Sequence, residues 1–193
     1  KTLAGFPGHY LPSDLITAMG TEVMLSGQPI EEWERRFAGW ERQAIDEIVE
    51  TLGGVAHAPE FQTAYKASFA VEGHERQQEV REAIAASGQQ SEVVITGKSD
   101  VDILPLGAGK GEATIFVVET LGLDMARQVL VAGDSANDSS MFGVCSRGIM
   151  VGNARNELRE AVREERAYQA SASHAAGVIE GLRYWGALPP ARN

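Results

Sequence analysis

The stretch that most limits what this chain can fold into is Val129-Leu130-Val131-Ala132-Gly133-Asp134-Ser135-Ala136-Asn137-Asp138. The stretch over 128–132, apolar without a break from Val129, reads as a strand covered on both faces, the way parallel sheets bury their strands. The run stops at a glycine and passes into two carboxylates four residues apart, where a helix is predicted over 135–142. In doubly wound sheets ligands bind beyond the carboxyl ends of strands, so this turn is where a site belongs. Asp134 and Asp138 can converge there on one hard cation with oxygen ligands. They can equally cap the helix and face its positive end. Spacing alone leaves both readings open.

A second signal precedes it. Leu104-Pro105-Leu106-Gly107-Ala108-Gly109-Lys110-Gly111 delivers a lysine from a glycine-rich turn to a helix start, where backbone N–H groups and the ammonium both favour phosphate. A solvated lysine after a flexible loop is the other reading. The stretch is not a Walker loop, which needs glycine at 104 and Ser or Thr at 111.

Around these motifs the pattern alternates. A short strand is expected over 14–19. Trp33, Phe37, Trp40, Ala44, Ile45, Ile48, Val49 and Leu52 recur at spacings of three and four, predicting one helix over 31–52 that stops at Gly53-Gly54. A strand over 65–71, a helix over 75–86 and a strand over 92–96 complete a small α+β unit. From Lys110 onward a helix over 112–121, the strand over 128–132, a strand over 148–151 and a helix over 156–163 read as an α/β core. The middle unit looks inserted into that core.

A net charge of −10 argues against nucleic acid and anionic membrane as partners, because both need a basic face. It leaves a phosphorylated substrate open, since a metal ion and one or two lysines can neutralise phosphate locally. Cys145, the single cysteine, excludes an intramolecular disulfide. No run nears the ~20 apolar residues of a membrane span and no basic-then-apolar leader opens the chain, so a soluble, cytoplasmic protein is expected. The start on Lys1 and the Gly5-Phe6-Pro7-Gly8 loop read as the middle of a protein.

A lysine, one helix, one apolar strand and Gly-Asp-x-x-x-Asp follow the order of the late motifs of the haloacid dehalogenase superfamily. Asp100-Val101-Asp102-Ile103-Leu104-Pro105 running into Lys110, then Gly133 to Asp138, Gly148-Ile149-Met150-Val151-Gly152-Asn153-Ala154 and Ser173-His174-Ala175 resemble the sucrose-phosphate phosphatases. So does Leu15-Ile16-Thr17-Ala18-Met19-Gly20-Thr21-Glu22. The resemblance implies an α/β fold: a Rossmann-like haloacid dehalogenase core over 1–26 and 103–193, with an α+β cap over 27–102. It implies a Mg²⁺-dependent phosphatase acting on a small-molecule sugar phosphate, such as a disaccharide monophosphate, through an aspartyl-phosphate intermediate.

By matching, Lys110 neutralises the phosphoryl group and Asp134 ligates Mg²⁺. Asp138 supports the metal through water or holds Lys110, and Asn137 bonds in the same shell. Lys66, Lys98 and Asp100 match positions that present polar groups to the sugar. His174 is expected to be structural, Trp33 and Trp40 to pack, and His9, His57 and His74 lack metal-ligand spacing. The nucleophile motif is expected in a segment upstream of this chain, so the chain as given is expected to be inactive. A catalytically inactive module associated with a glycosyltransferase is the alternative.

Overall fold

In the computed structural model the described residues are 12–189; the Gly5–Gly8 loop and His9 lie outside them. Two sheets carry the chemistry. The first is antiparallel, in the order β4-β5-β7-β6, from Val55–Ala56 (β4), Ala67–Ala70 (β5), Ser91–Thr96 (β6) and Asp100–Pro105 (β7). The second is parallel, in the order β10-β9-β8, from Val131–Gly133 (β8), Gly148–Met150 (β9) and Ala167–Gln169 (β10). A small antiparallel meander, Leu15–Thr17 (β1), Glu22–Leu25 (β2) and Gln28–Pro29 (β3), precedes both.

Side chains of a strand alternate between faces. In the antiparallel sheet Ala67, Phe69, Val93, Val101 and Ile103 are buried in one apolar cluster with Ile45 and Val49 of helix α2 (Arg42–Thr51) and Val80 and Ile84 of α3 (His74–Ala86). Ser68 pairs with Asp102 and Ala70 with Asp100 on β5–β7, while Val94 and Thr96 meet the same two aspartates on β6–β7. These residues form the opposite, largely polar face.

The predicted helix over 31–52 is broken in two. Helix α1 (Glu31–Arg35) ends in a turn through Gly39 before α2 begins at Arg42. The cause is packing: Trp33 and Phe37 belong to a cluster with Val23, Leu104 and Phe116, whereas Ile45 and Val49 belong to the cluster under the antiparallel sheet. One straight helix cannot feed both cores. Trp33 is fully buried and Trp40 donates to Ser91 Oγ at 2.8 Å, so both pack rather than line a site floor.

The strand expected over 128–132 starts later. Asp124 accepts the N–H groups of Ala126 and Arg127, which caps a short helix, Met125–Gln128 (α5). Helices α6 (Ser139–Val144) and α8 (His174–Tyr184) pack on the parallel sheet, α7 (Asn156–Ala161) joins its core through Leu158, and α4 (Lys110–Thr120) packs against α6. The helix expected over 135–142 opens as a 3-10 turn, Ala136–Asp138. The strand expected over 14–19 gives way after Thr17 to a turn in which Ala18 and Met19 have φ of 49° and 65°. Cys145 is a buried free thiol. No helix among the described residues is long and apolar enough to cross a membrane.

Candidate active site

The site is assembled where α4 meets the turn after β8. Lys110 is the first residue of α4, behind the N-cap Gly109. Two glycines let the lysine reach its partners. A Cβ on Gly111 would lie 2.7 Å from the Ser140 carbonyl oxygen, so only glycine lets α4 approach α6 this closely, and the Gly111 N–H donates to Ser140 Oγ at 3.1 Å. A Cβ on Gly20, whose φ is +112°, would lie 2.5 Å from the Gly109 carbonyl carbon. Trp33 Nε1 donates to the Gly20 carbonyl at 3.0 Å and fixes that contact from behind. The Ala18–Gly20 turn thus braces the loop that presents Lys110.

Lys110 Nζ lies 2.5 Å from Asp138 Oδ1 and 3.2 Å from Asn137 Oδ1. Asp138 Oδ2 accepts the backbone N–H groups of Asp134 at 3.0 Å and Ser135 at 3.3 Å. Ser135 donates to Asn137 Oδ1 at 2.8 Å, and Ser135 and Asp138 together form a capping box. Asp138 therefore spends both oxygens on the lysine and the turn. Capping and ion pairing, alternatives on the sequence, are here the work of one residue.

Asp134 is different. Its backbone carbonyl accepts Arg155 N–H at 2.8 Å, while its carboxylate is exposed and has no hydrogen-bond or ion-pair partner among the described residues. Mg²⁺ keeps several waters and takes one or two carboxylates plus substrate phosphate. A single free carboxylate just past a strand tip, in the turn that Asp138 closes, suits that chemistry. No cluster of three or more His, Cys, Asp or Glu that could cage a metal occurs among the described residues.

A cleft of about 380 Å³ on the polar face of the antiparallel sheet is lined by His57, Phe61, Lys66, Ser68, Thr96, Asp100, Asp102 and Asn137. Asn137 also lines the smaller cleft that holds Lys110, so the two spaces share one wall. Lys66 is buried, with Nζ 3.0 Å from the Phe61 carbonyl and 2.8 Å from Asp102 Oδ1, and also bonded to Ser68 Oγ. Asp100 Oδ1 lies 3.2 Å from His57 Nε2. Of the expected sugar-facing residues, Lys66 and Asp100 are thus brought together. Lys98 is not: it sits exposed in the β6–β7 turn, away from the cleft lining, and its carbonyl accepts Gln77 Nε2 at 2.7 Å. His174 opens α8 with its backbone N–H on Asn153 Oδ1 at 2.7 Å.

The cleft also takes Ser68, Phe61, Thr96 and Asp102, none of them expected as a site residue, and His57, which the sequence sets aside for want of metal-ligand spacing. Alternation carries a signal for Ser68 and Asp102: Asp102 lies two residues from Asp100 on β7, and Ser68 on β5 lies two residues from Lys66 at the entry to that strand.

Comparison with known proteins agrees with this architecture. The sucrose-6F-phosphate phosphohydrolase family matches residues 10–186. Mannosylfructose-phosphate phosphatase of Agrobacterium fabrum is 32% identical over 188 residues, covering 92% of this chain and 75% of its own. Sucrose-phosphatase 2 of Nicotiana tabacum is 28% identical over 89% of this chain, and the chain spans only 44% of that protein's length. The solved structure of the sucrose-phosphatase of Synechocystis sp. PCC6803, in complex with sucrose and phosphate, superposes with a TM-score of 0.83 at 26% identity, over 91% of this chain and 75% of its own. The chain shares its fold with a haloacid dehalogenase subclass IIB sugar phosphatase (15% identity, TM-score 0.68), and it belongs to the sucrose-6F-phosphate phosphohydrolase family.

Proposed function

We propose that this protein hydrolyses a sugar phosphate, preferentially a disaccharide monophosphate such as sucrose 6-phosphate or mannosylfructose phosphate. The observation that carries the reading is the adjacency, through Asn137, of the Lys110–Asp138 pair and the polar cleft on the antiparallel sheet. One space suits phosphate and the other a polyhydroxylated group. The names of the relatives support the same substrate class.

In this reading 27–102 acts as the cap and 1–26 with 103–193 as the core. The phosphoryl group lies against Lys110, whose charge offsets the repulsion between phosphate and an incoming carboxylate nucleophile. That carboxylate, expected upstream, displaces the sugar oxygen from phosphorus, the sugar leaving as its alcohol with a proton from a general acid, and water then hydrolyses the aspartyl phosphate to inorganic phosphate. Asp138 keeps Lys110 aimed, so the ammonium is preorganised for charge that develops in the transition state. Asn137, with its Oδ1 occupied by Lys110 and Ser135, retains amide N–H donors for substrate. Asp134 would hold Mg²⁺, with Asp138 supporting from behind; when bound, the metal supplies Lewis-acid stabilisation of phosphoryl oxygens. Asp100, Asp102 and Ser68 offer acceptors to sugar hydroxyls, and Lys66 balances their charge. Lys98, outside the cleft lining here, reaches the sugar only if the β6–β7 turn moves.

The test is substrate preference in the full-length protein. The reading expects kcat/KM for a disaccharide monophosphate to exceed that for p-nitrophenyl phosphate by about a hundredfold or more, because remote binding energy is realised in turnover. Equal kcat/KM for the two would contradict it.

A further inference from the structure

Three of the residues that line the polar cleft, His57, Phe61 and Lys66, come from the irregular segment between β4 and β5 rather than from a strand. Few backbone bonds hold this segment: His57 N–H donates to the Ser68 carbonyl at 2.9 Å, Pro59–Phe61 forms a 3-10 turn, and Thr63 bridges to Lys66. Ordering the rest costs conformational entropy that side chains must offset.

Arg42, at the start of α2, performs that task on one side. Its Nη1 donates to the carbonyls of Thr63 at 2.6 Å and Lys66 at 2.9 Å, its Nη2 donates to Gln62 Oε1 at 2.9 Å, and its Nε lies 2.8 Å from Asp46 Oδ1. Gln62 closes the other side. Its Nε2 donates to the carbonyls of His57 at 3.1 Å and Ser68 at 2.7 Å, and its Oε1 accepts the Ser68 N–H at 2.9 Å. Together the two side chains tie both ends of the segment, and its turn, to α2 and β5. Neither lines the cleft.

We propose that Arg42 and Gln62 are positioning residues for sugar recognition: they act as one unit that presets the cleft formed by His57, Phe61, Lys66, Ser68 and Asp102. The inference rests on the reading of that cleft as the sugar subsite. Its mechanism is preorganisation. A segment held in its binding geometry before ligand arrives avoids the ordering cost on binding. Lysine cannot replace Arg42, because a single ammonium lacks the planar fork that reaches two carbonyls and an amide at once.

The test is binding to the full-length protein by titration calorimetry, with sucrose probing the cleft and inorganic phosphate probing Lys110. Arg42→Lys and the isosteric Gln62→Met should each weaken sucrose binding by about tenfold or more, while phosphate affinity changes by less than about twofold. The double variant should be no worse than the poorer single variant, as for two groups in one network. Arg159→Lys serves as a control, since Arg159 makes a similar clamp outside the cleft lining, on Gly152, Ala154 and Gln169. It should lower thermal stability without touching sucrose affinity.

Sucrose affinity unchanged in both clamp variants would overturn the proposal, as would an equal loss of phosphate affinity or a matching loss in the Arg159 control. If Arg42→Lys does not fold, Gln62→Met alone decides the question. No sucrose binding by the unsubstituted protein would instead overturn the reading of the cleft itself.

Discussion

Lys110 and Asp138 meet at 2.5 Å between α4 and the entry to α6, and the second oxygen of Asp138 is held by the N–H groups of Asp134 and Ser135. One carboxylate thus fixes the cation of the site and closes the turn that carries the other carboxylate. The two aspartates of Gly-Asp-x-x-x-Asp are not equivalent.

That inequality is measurable. Asp138→Ala leaves Lys110 without its ion partner and two N–H groups without an acceptor, and should cost about 3 kcal/mol of unfolding free energy. Asp134→Asn changes an exposed group without a partner and should stay within about 0.5 kcal/mol. Urea unfolding of the two variants decides; equal losses would contradict the division of labour.

The brace under the lysine loop predicts a second contrast. Gly20→Ala forces a methyl to 2.5 Å from the Gly109 carbonyl carbon at a φ of +112°. Overpacking of this kind costs about 1–3 kcal/mol beyond the backbone strain. Gly27→Ala, at a φ of +75° with nothing within 4 Å, carries only the left-handed penalty of about 1–2 kcal/mol. Gly20→Ala should also weaken phosphate binding, because the displaced loop carries Lys110. Thermal unfolding and phosphate titration of the pair check both statements.

Much of this was legible in the sequence and some was not. The glycine-to-carboxylate turn and Lys110 stand where their spacing put them, because an apolar strand feeding a helix leaves little freedom at its tip. The helix over 31–52 was overextended because hydrophobic periodicity cannot show that Trp33 and Ile45 serve different cores. No strand is expected over Asp100–Pro105, although Asp-Val-Asp-Ile alternates as the pleat of β7 does; the stretch enters the sequence reading only as a family motif. Arg42 and Gln62 left no sequence signal, since their partners are mostly main-chain atoms and another loop side chain 20 or more residues from Arg42.

Glu92 gives a pH-dependent prediction. Burial, and then the Glu112 carboxylate, raise its pKa above the ordinary 4.5, against the opposing pull of Arg81. The ionised form is therefore disfavoured in the folded state. Its cost is absent below pH 4.5 and complete above the raised folded value. Glu92→Gln should raise the melting temperature at pH 7, and the gain should vanish as pH is brought below 4.5. Calorimetric melts across that range test the sign.

Glu180 works the other way. N–H of Ser171, the Tyr168 hydroxyl and N–H of Ala172 hold its carboxylate at a pKa of about 2, below the ordinary 4.5. The stabilisation is fully present above pH 4.5 and is lost as pH falls toward 2. Glu180→Gln should lower the melting temperature at pH 7, with the difference narrowing through that window. A difference that stayed constant down to pH 2 would contradict the assignment.

The central claim is that Lys110, Asp134 and Asp138 form the phosphate-handling half of a sugar phosphatase site. The most direct measurement is phosphate release from sucrose 6-phosphate by the full-length protein in the presence of Mg²⁺, compared with its Asp134→Asn variant. The account predicts turnover by the unsubstituted protein and a loss of about a hundredfold or more in a stably folded Asp134→Asn protein, the scale of removing one preorganised electrostatic element. Turnover unchanged by that substitution would contradict it.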